Sequence, residues 1–134
     1  YCCSESVTDD QKEFVNKLCS SFGKVMPLSE SYFPLFCSIA GCAPAYAYMF
    51  IDSLARSAVK NGMNKSVALE IAAQTVLGSA KKILESDEHP WELIDKVCSP
   101  GGTTIEGIVS LQKDGFESAV CNAVDAALQK DKKV

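Results

Sequence analysis

Histidine occurs once in this chain, as His89. The seven cysteines (Cys2, Cys3, Cys19, Cys37, Cys42, Cys98 and Cys121) form no C-x-x-C pair. Protein zinc sites need thiolates and imidazoles at short recurring spacings, so no metal centre is expected. Positive charge is scarce as well: 13 Lys and Arg stand against 17 Asp and Glu, for a net charge of -4. Nucleic acids demand clustered cations, so no nucleic-acid partner is expected. The only basic cluster, Lys130, Lys132 and Lys133, reads as a solvated helix end. Phosphate-cradling glycine patterns are absent, since neither G-x-G-x-x-G nor G-x-x-x-x-G-K-[ST] occurs. No Ser/His/Asp set appears, and His89 alone could activate a nucleophile such as Cys98.

What is present describes a globular chain. Its 134 residues are 47% hydrophobic and 22% charged. That suits one domain with room for a fragment of a second. An odd number of cysteines among apolar neighbours reads as free thiols in a reducing compartment, hence a cytoplasmic protein. Tyr1 opens the sequence with neither a basic n-region nor a long apolar run, so no signal peptide is read and the chain looks cut from something longer. Ser31 to Ile51 carries no charge. Pro34, Gly41 and Pro44 interrupt it and Glu30 and Asp52 flank it, so it reads as two buried helices joined by a turn rather than a membrane span.

Thr8 and Gln11 have capping-box spacing, and Phe14, Val15, Leu18, Cys19 and Phe22 follow at helical intervals. Lys24 to Leu28 reads as a short strand. Ser29 reads as the cap of a short helix through Cys37. Gly41-Cys42-Ala43-Pro44 reads as a turn, with Pro44 opening a helix that ends at Gly62. Asn64 caps a helix from Ser66 to about Glu85 that is apolar almost all round. Such a helix is buried on several sides, either against a partner or as the centre of a monomeric bundle. Asp87 reads as the cap of a short helix starting near Pro90. Two more helices follow, one from Ile105 and one from Phe116 to about Lys130.

Between them lies Ser99-Pro100-Gly101-Gly102-Thr103-Thr104. This run sets backbone N–H groups and hydroxyls just before a helix, where unpaired donors and the dipole favour an anion. The alternative is a plain loop in which Ser99 or Thr103 caps the helix.

From about Ser38 to Leu128 the sequence resembles the C-terminal domain of pyrroline-5-carboxylate reductase. The likeness is carried by Pro44-Ala45-Tyr46, the run Ala72 to Lys81, His89-Pro90, Val97 to Thr104, and Gly115-Phe116. It implies an all-α bundle of about five to six helices forming an intertwined dimer, preceded by a short β-α-β remnant of a Rossmann domain. Residues 1–28 are then the nucleotide-domain remnant and 29–134 the dimerisation and substrate-binding domain. The family reduces 1-pyrroline-5-carboxylate to L-proline with NADPH or NADH, held mainly by a domain not in this chain. Its substrate site lies at the dimer interface, and dimers often assemble further into decamers. Carried over by residue, Ser99, Gly101, Gly102, Thr103 and Thr104 bind substrate. The N–H groups around Gly102 and Thr103 meet its carboxylate, and Thr104 acts on the ring nitrogen. Asp87 falls where the family often has Glu. The family usually writes Ser-Gly-Ser-Gly-Pro-Ala-Tyr where this chain has Ala40 to Tyr46, with two serines and one glycine replaced. The other function considered is therefore a non-catalytic, reductase-like assembly module.

Overall fold

The computed structural model describes residues 1–131, which places Lys132 and Lys133 of the basic C-terminal cluster outside the described residues. The described part holds seven α-helices and no strand: α1 (Asp9–Ser20), α2 (Phe33–Phe36), α3 (Ala43–Lys60), α4 (Lys65–Leu84), α5 (Pro90–Val97), α6 (Thr103–Lys113) and α7 (Phe116–Asp131). Six of them follow residue 29, as an all-α bundle requires.

α1 starts where the capping box puts it. The Thr8 hydroxyl accepts from the Gln11 N–H at 3.4 Å, and Gln11 Oε1 accepts from the Thr8 N–H at 2.9 Å. The two flanking strands expected of a β-α-β remnant are not formed. In their place the Tyr1 amino group donates to the Met26 carbonyl at 3.1 Å, and the Leu28 N–H donates to the Tyr1 carbonyl at 2.9 Å. These two bonds set Tyr1 beside Pro27 in parallel register. A two-stranded pair with no further strand on either side is marginal in water, so the pairing stops there.

The turn expected at Gly41–Pro44 is also absent. A 3₁₀ turn (Glu30–Tyr32), α2, a π-helical stretch (Cys37–Cys42) and α3 run on as one rod. Pro44 explains the π geometry. It has no N–H to donate, and in an α-helix its ring would strike the carbonyl four residues back, that of Ala40. Bonds to the fifth residue back widen the turn beneath it. Within this stretch Ser38 is buried, and its hydroxyl donates to the Pro34 carbonyl at 3.0 Å. By length and composition the rod Glu30–Lys60 is long and apolar enough to cross a membrane.

α3 and α4 form the central hairpin. Gly62, at φ +96°, makes the reversal, and the Asn64 side chain accepts from the Ser66 N–H at 2.9 Å to start α4. The core between them is three alanines, Ala55, Ala68 and Ala72, flanked by Ile51 and Ala58. α7 returns to the start of α3. The rings of Phe50 and Phe116 are 5.8 Å apart, and the Tyr46 hydroxyl donates to the Ala123 carbonyl at 3.3 Å.

A core of three small residues leaves most apolar side chains outside. Tyr48, Met49 and Leu77 are 70%, 74% and 61% exposed. The chain exposes 10,670 Å². A compact monomer of 14.4 kDa exposes about 6,800 Å². The excess is about 3,800 Å², and many large apolar side chains lie on it, more than soluble monomers usually expose.

Candidate functional site

The site is assembled by α5, the segment after it, and the start of α6. α5 has only eight residues, too few to hold as a free helix, so its ends matter. The cap is His89 rather than Asp87. His89 Nδ1 accepts from the Trp91 N–H at 3.2 Å, and Glu92 Oε2 accepts from the His89 N–H at 3.3 Å. His89 is thus committed to the helix start. The signal was in the sequence, as Glu92 lies three residues after His89 with Pro90 between them. Asp87 is not the capping group because a residue further from the helix cannot reach its second and third N–H groups.

Glu88 precedes that cap and forms an ion pair with Lys96 of the last turn of α5. The Ser86 hydroxyl accepts from the Glu88 N–H at 3.1 Å. The hydrogen bond from Lys96 holds the Glu88 carboxyl below its ordinary value, with a smaller pull in the same direction from Lys82. Since the folded value is depressed, whatever the pair contributes is complete above about pH 4.5 and fades as pH falls through the lowered folded value. A carbon-detected titration should place the Glu88 midpoint below that of Glu in a denatured chain. Lys96→Met should move it back up. An unshifted midpoint would show that the pair does not persist in solution.

After α5 the chain turns sharply. The Gly102 N–H donates to the Ser99 carbonyl at 2.9 Å, closing a turn with Pro100 second and Gly101 third. Gly101 has φ +68°, which the third position of a type II turn demands. Gly102 is needed for space. A Cβ there would lie 2.4 Å from Ser99 Oγ and 3.0 Å from the Ser99 carbonyl oxygen.

Gly102 is also the N-cap of α6, and no side chain caps this helix. Neither Ser99 nor Thr103 serves as the cap. The donors left without an intrahelical acceptor are the N–H groups of Thr103, Thr104 and Ile105. The Gly102 N–H is not among them, because the turn uses it. The structure therefore brings Ser99, Gly101, Gly102, Thr103 and Thr104 into one loop, with the unpaired N–H donors one residue further on than expected. Ser99, Thr103 and Thr104 are exposed. Among the described residues no cluster of His, Cys, Asp and Glu is arranged to hold a metal, and all seven cysteines are free thiols.

Comparison with known proteins places this arrangement. The model of the pyrroline-5-carboxylate reductase dimerisation family matches residues 30–134. The chain belongs to that family. The reductase of Escherichia coli (strain K12) is 41% identical over 128 residues, covering 96% of this chain and 48% of that protein. The reductase of Glycine max is 38% identical over 129 residues, covering 96% of this chain and 47% of that protein. The chain thus spans about half the length of the curated relatives it matches. Among solved structures, the Plasmodium falciparum pyrroline carboxylate reductase with NADP bound is 38% identical, with a TM-score of 0.90 over 99% of this chain and 51% of its own. The Streptococcus pyogenes 1-pyrroline-5-carboxylate reductase is 42% identical, with a TM-score of 0.91 over 98% of this chain and 51% of its own. The all-α architecture is that of the family.

Proposed function

We propose that this chain supplies the dimer interface and the substrate loop of an oxidoreductase that reduces 1-pyrroline-5-carboxylate to L-proline with NADPH or NADH. The observation that carries this reading is the Ser99–Gly102 turn opening onto the uncapped first turn of α6. The Thr103 and Thr104 N–H groups bind the substrate carboxylate at the positive end of the helix dipole. Ser99 adds a hydroxyl from the other side of the turn. The Thr104 hydroxyl bonds the ring nitrogen and holds its proton in place. With the substrate in its protonated iminium form, a hydride adds to the carbon of the C=N bond, the π electrons go to nitrogen, and the N–H is retained, leaving the C–N single bond of proline.

The reduced nicotinamide, when bound, supplies that hydride. The first turn of α1 is a poor site for a pyrophosphate, because it carries the negative charges of Asp9 and Asp10 and its capping box occupies the Thr8 and Gln11 N–H groups. In this reading residues 1–28 complete a nucleotide-binding domain that lies mainly outside these 134 residues, and 29–134 form the dimerisation domain. The protein is a cytoplasmic homodimer. Its rod Glu30–Lys60 is covered by a second copy rather than by lipid, which the Arg56–Asp52 ion pair on α3 favours.

The test is steady-state kinetics on the reductase containing this chain. Thr104→Ala should lower kcat/KM by roughly 5- to 30-fold, the size of one hydrogen bond worth about 1–2 kcal/mol, with an unchanged melting temperature. Thr104→Ser should keep most activity. Thr103→Ala should lose less, because its N–H survives. Equal losses for both alanine variants, in step with melting temperature, would reduce the loop to a structural role. A folded dimer without turnover on this substrate would favour the assembly-module reading.

A further inference from the structure

Residues of the second half of α4 and of α5 line one groove of about 590 Å³. Gly78 and Ser79 of α4 and Leu93 and Ile94 of α5 line it, together with two cations, Lys82 and Lys96. The groove brings like charges from two different helices to one place. Glu88 is the anion that meets them, paired with Lys96 and feeling Lys82. Glu88 is itself tethered through its N–H to the Ser86 hydroxyl, in the short connection between α4 and α5. Lys96 is three residues before Ser99. Beyond it α5 ends on a single 3.2 Å bond from the Cys98 N–H to the Asp95 carbonyl.

We propose that Glu88 is a positioning residue: by pairing with Lys96 and screening it from Lys82, it holds the end of α5 in place across the groove from α4 and so fixes where the Ser99–Thr104 loop begins. The inference rests on the substrate role proposed for that loop. Its physical content is a balance of charges. Without Glu88, Lys82 and Lys96 repel across the groove, and the last turn of α5, held by little else, moves outward. Removing Lys96 as well removes the repulsion. A side chain that mattered only by packing would not show that rescue.

The experiment pairs amide hydrogen exchange on this chain with kinetics on the reductase containing it, for wild type, Glu88→Gln, Lys96→Met and the double variant. Glu88→Gln should speed exchange across residues 98–104 by about two- to five-fold, the range of an exposed ion pair, while α3 and α4 are unchanged. The double variant should return most of the way to wild type. KM should rise by a similar factor with kcat within about two-fold. Unchanged exchange over 98–104 in Glu88→Gln overturns the inference. So does a double variant at least as fast as Glu88→Gln, or faster exchange with an unaltered KM. Absence of turnover in the wild type overturns the proposed function alone, and the exchange pattern then decides the charge balance by itself.

Discussion

Gly102→Val is expected to lower kcat/KM of the reductase by more than about 100-fold while leaving the helical bundle folded. A Cβ at this position falls 2.4 Å from Ser99 Oγ and 3.0 Å from the Ser99 carbonyl, and the carbonyl is backbone that cannot rotate aside. Valine adds two methyl groups to that overlap. The turn must open, which breaks the 2.9 Å bond from Gly102 to Ser99 and displaces the N-cap of α6. Overpacking of this kind costs about 3 kcal/mol, and here it acts on the donors proposed to meet substrate. The loop is exposed and far from the Ala55–Ala68–Ala72 contact, so the melting temperature should move little. Gly107→Ala in α6 is the control. A Cβ there meets nothing within 4 Å, so it should be neutral or slightly stabilising. Wild-type kinetics in Gly102→Val would show that the turn does not shape the site.

Leu77→Asp should convert the dimer to a monomer at micromolar concentration. Leu77 sits on α4 and is 61% exposed in the single chain, so within the chain the change is nearly free. In a dimer centred on α3 and α4 the same position loses about 1.5–3 kcal/mol of apolar burial and gains a desolvated carboxylate. Together these weaken association by at least about 3 kcal/mol, or roughly 150-fold in Kd. Light scattering should give twice 14.4 kDa for the wild type and the single mass for the variant. A dimeric Leu77→Asp would move the interface to another face. Gly78→Leu is the companion test, because a Cβ there meets nothing within 4 Å in the chain, so a weakened dimer would point to a partner's helix.

Much of the architecture was legible because local chemistry dictated it. The Thr8 box, the Asn64 cap and the reversals at Gly62 and Gly115 act within a few residues, and the helices sit where these signals put them. The all-round apolar character of α4 announced a missing neighbour, and the surface excess of the single chain has the same origin. Misreadings arose where two local rules competed. Gly41 and Pro44 each argue for a break, yet a π-helical turn absorbs the proline without one. Asp87 is the stronger capping residue by type, but His89 has the position, and Glu92 completes the box from the third residue. Lys24 to Leu28 has strand character with too little to pair against. The loop was visible as a motif, while the use of the Gly102 N–H by the turn was not. Nor was the ion pair across α5, because eight residues separate Glu88 from Lys96 and no helical spacing rule joins them.

The alanine core has a kinetic consequence. A chain whose own interior is Ala55, Ala68 and Ala72 gains little by closing on itself, so it has no deep monomeric minimum to wait in. In the proposed dimer, ordering the helices is then coupled to meeting a second copy. The rate of that step is second order in chain, and the midpoint of thermal unfolding climbs with protein concentration. In a cell, the interval between synthesis and encounter is when the exposed faces of α3 and α4 are most open to wrong partners. The abundance of the chain therefore sets how long it spends unprotected.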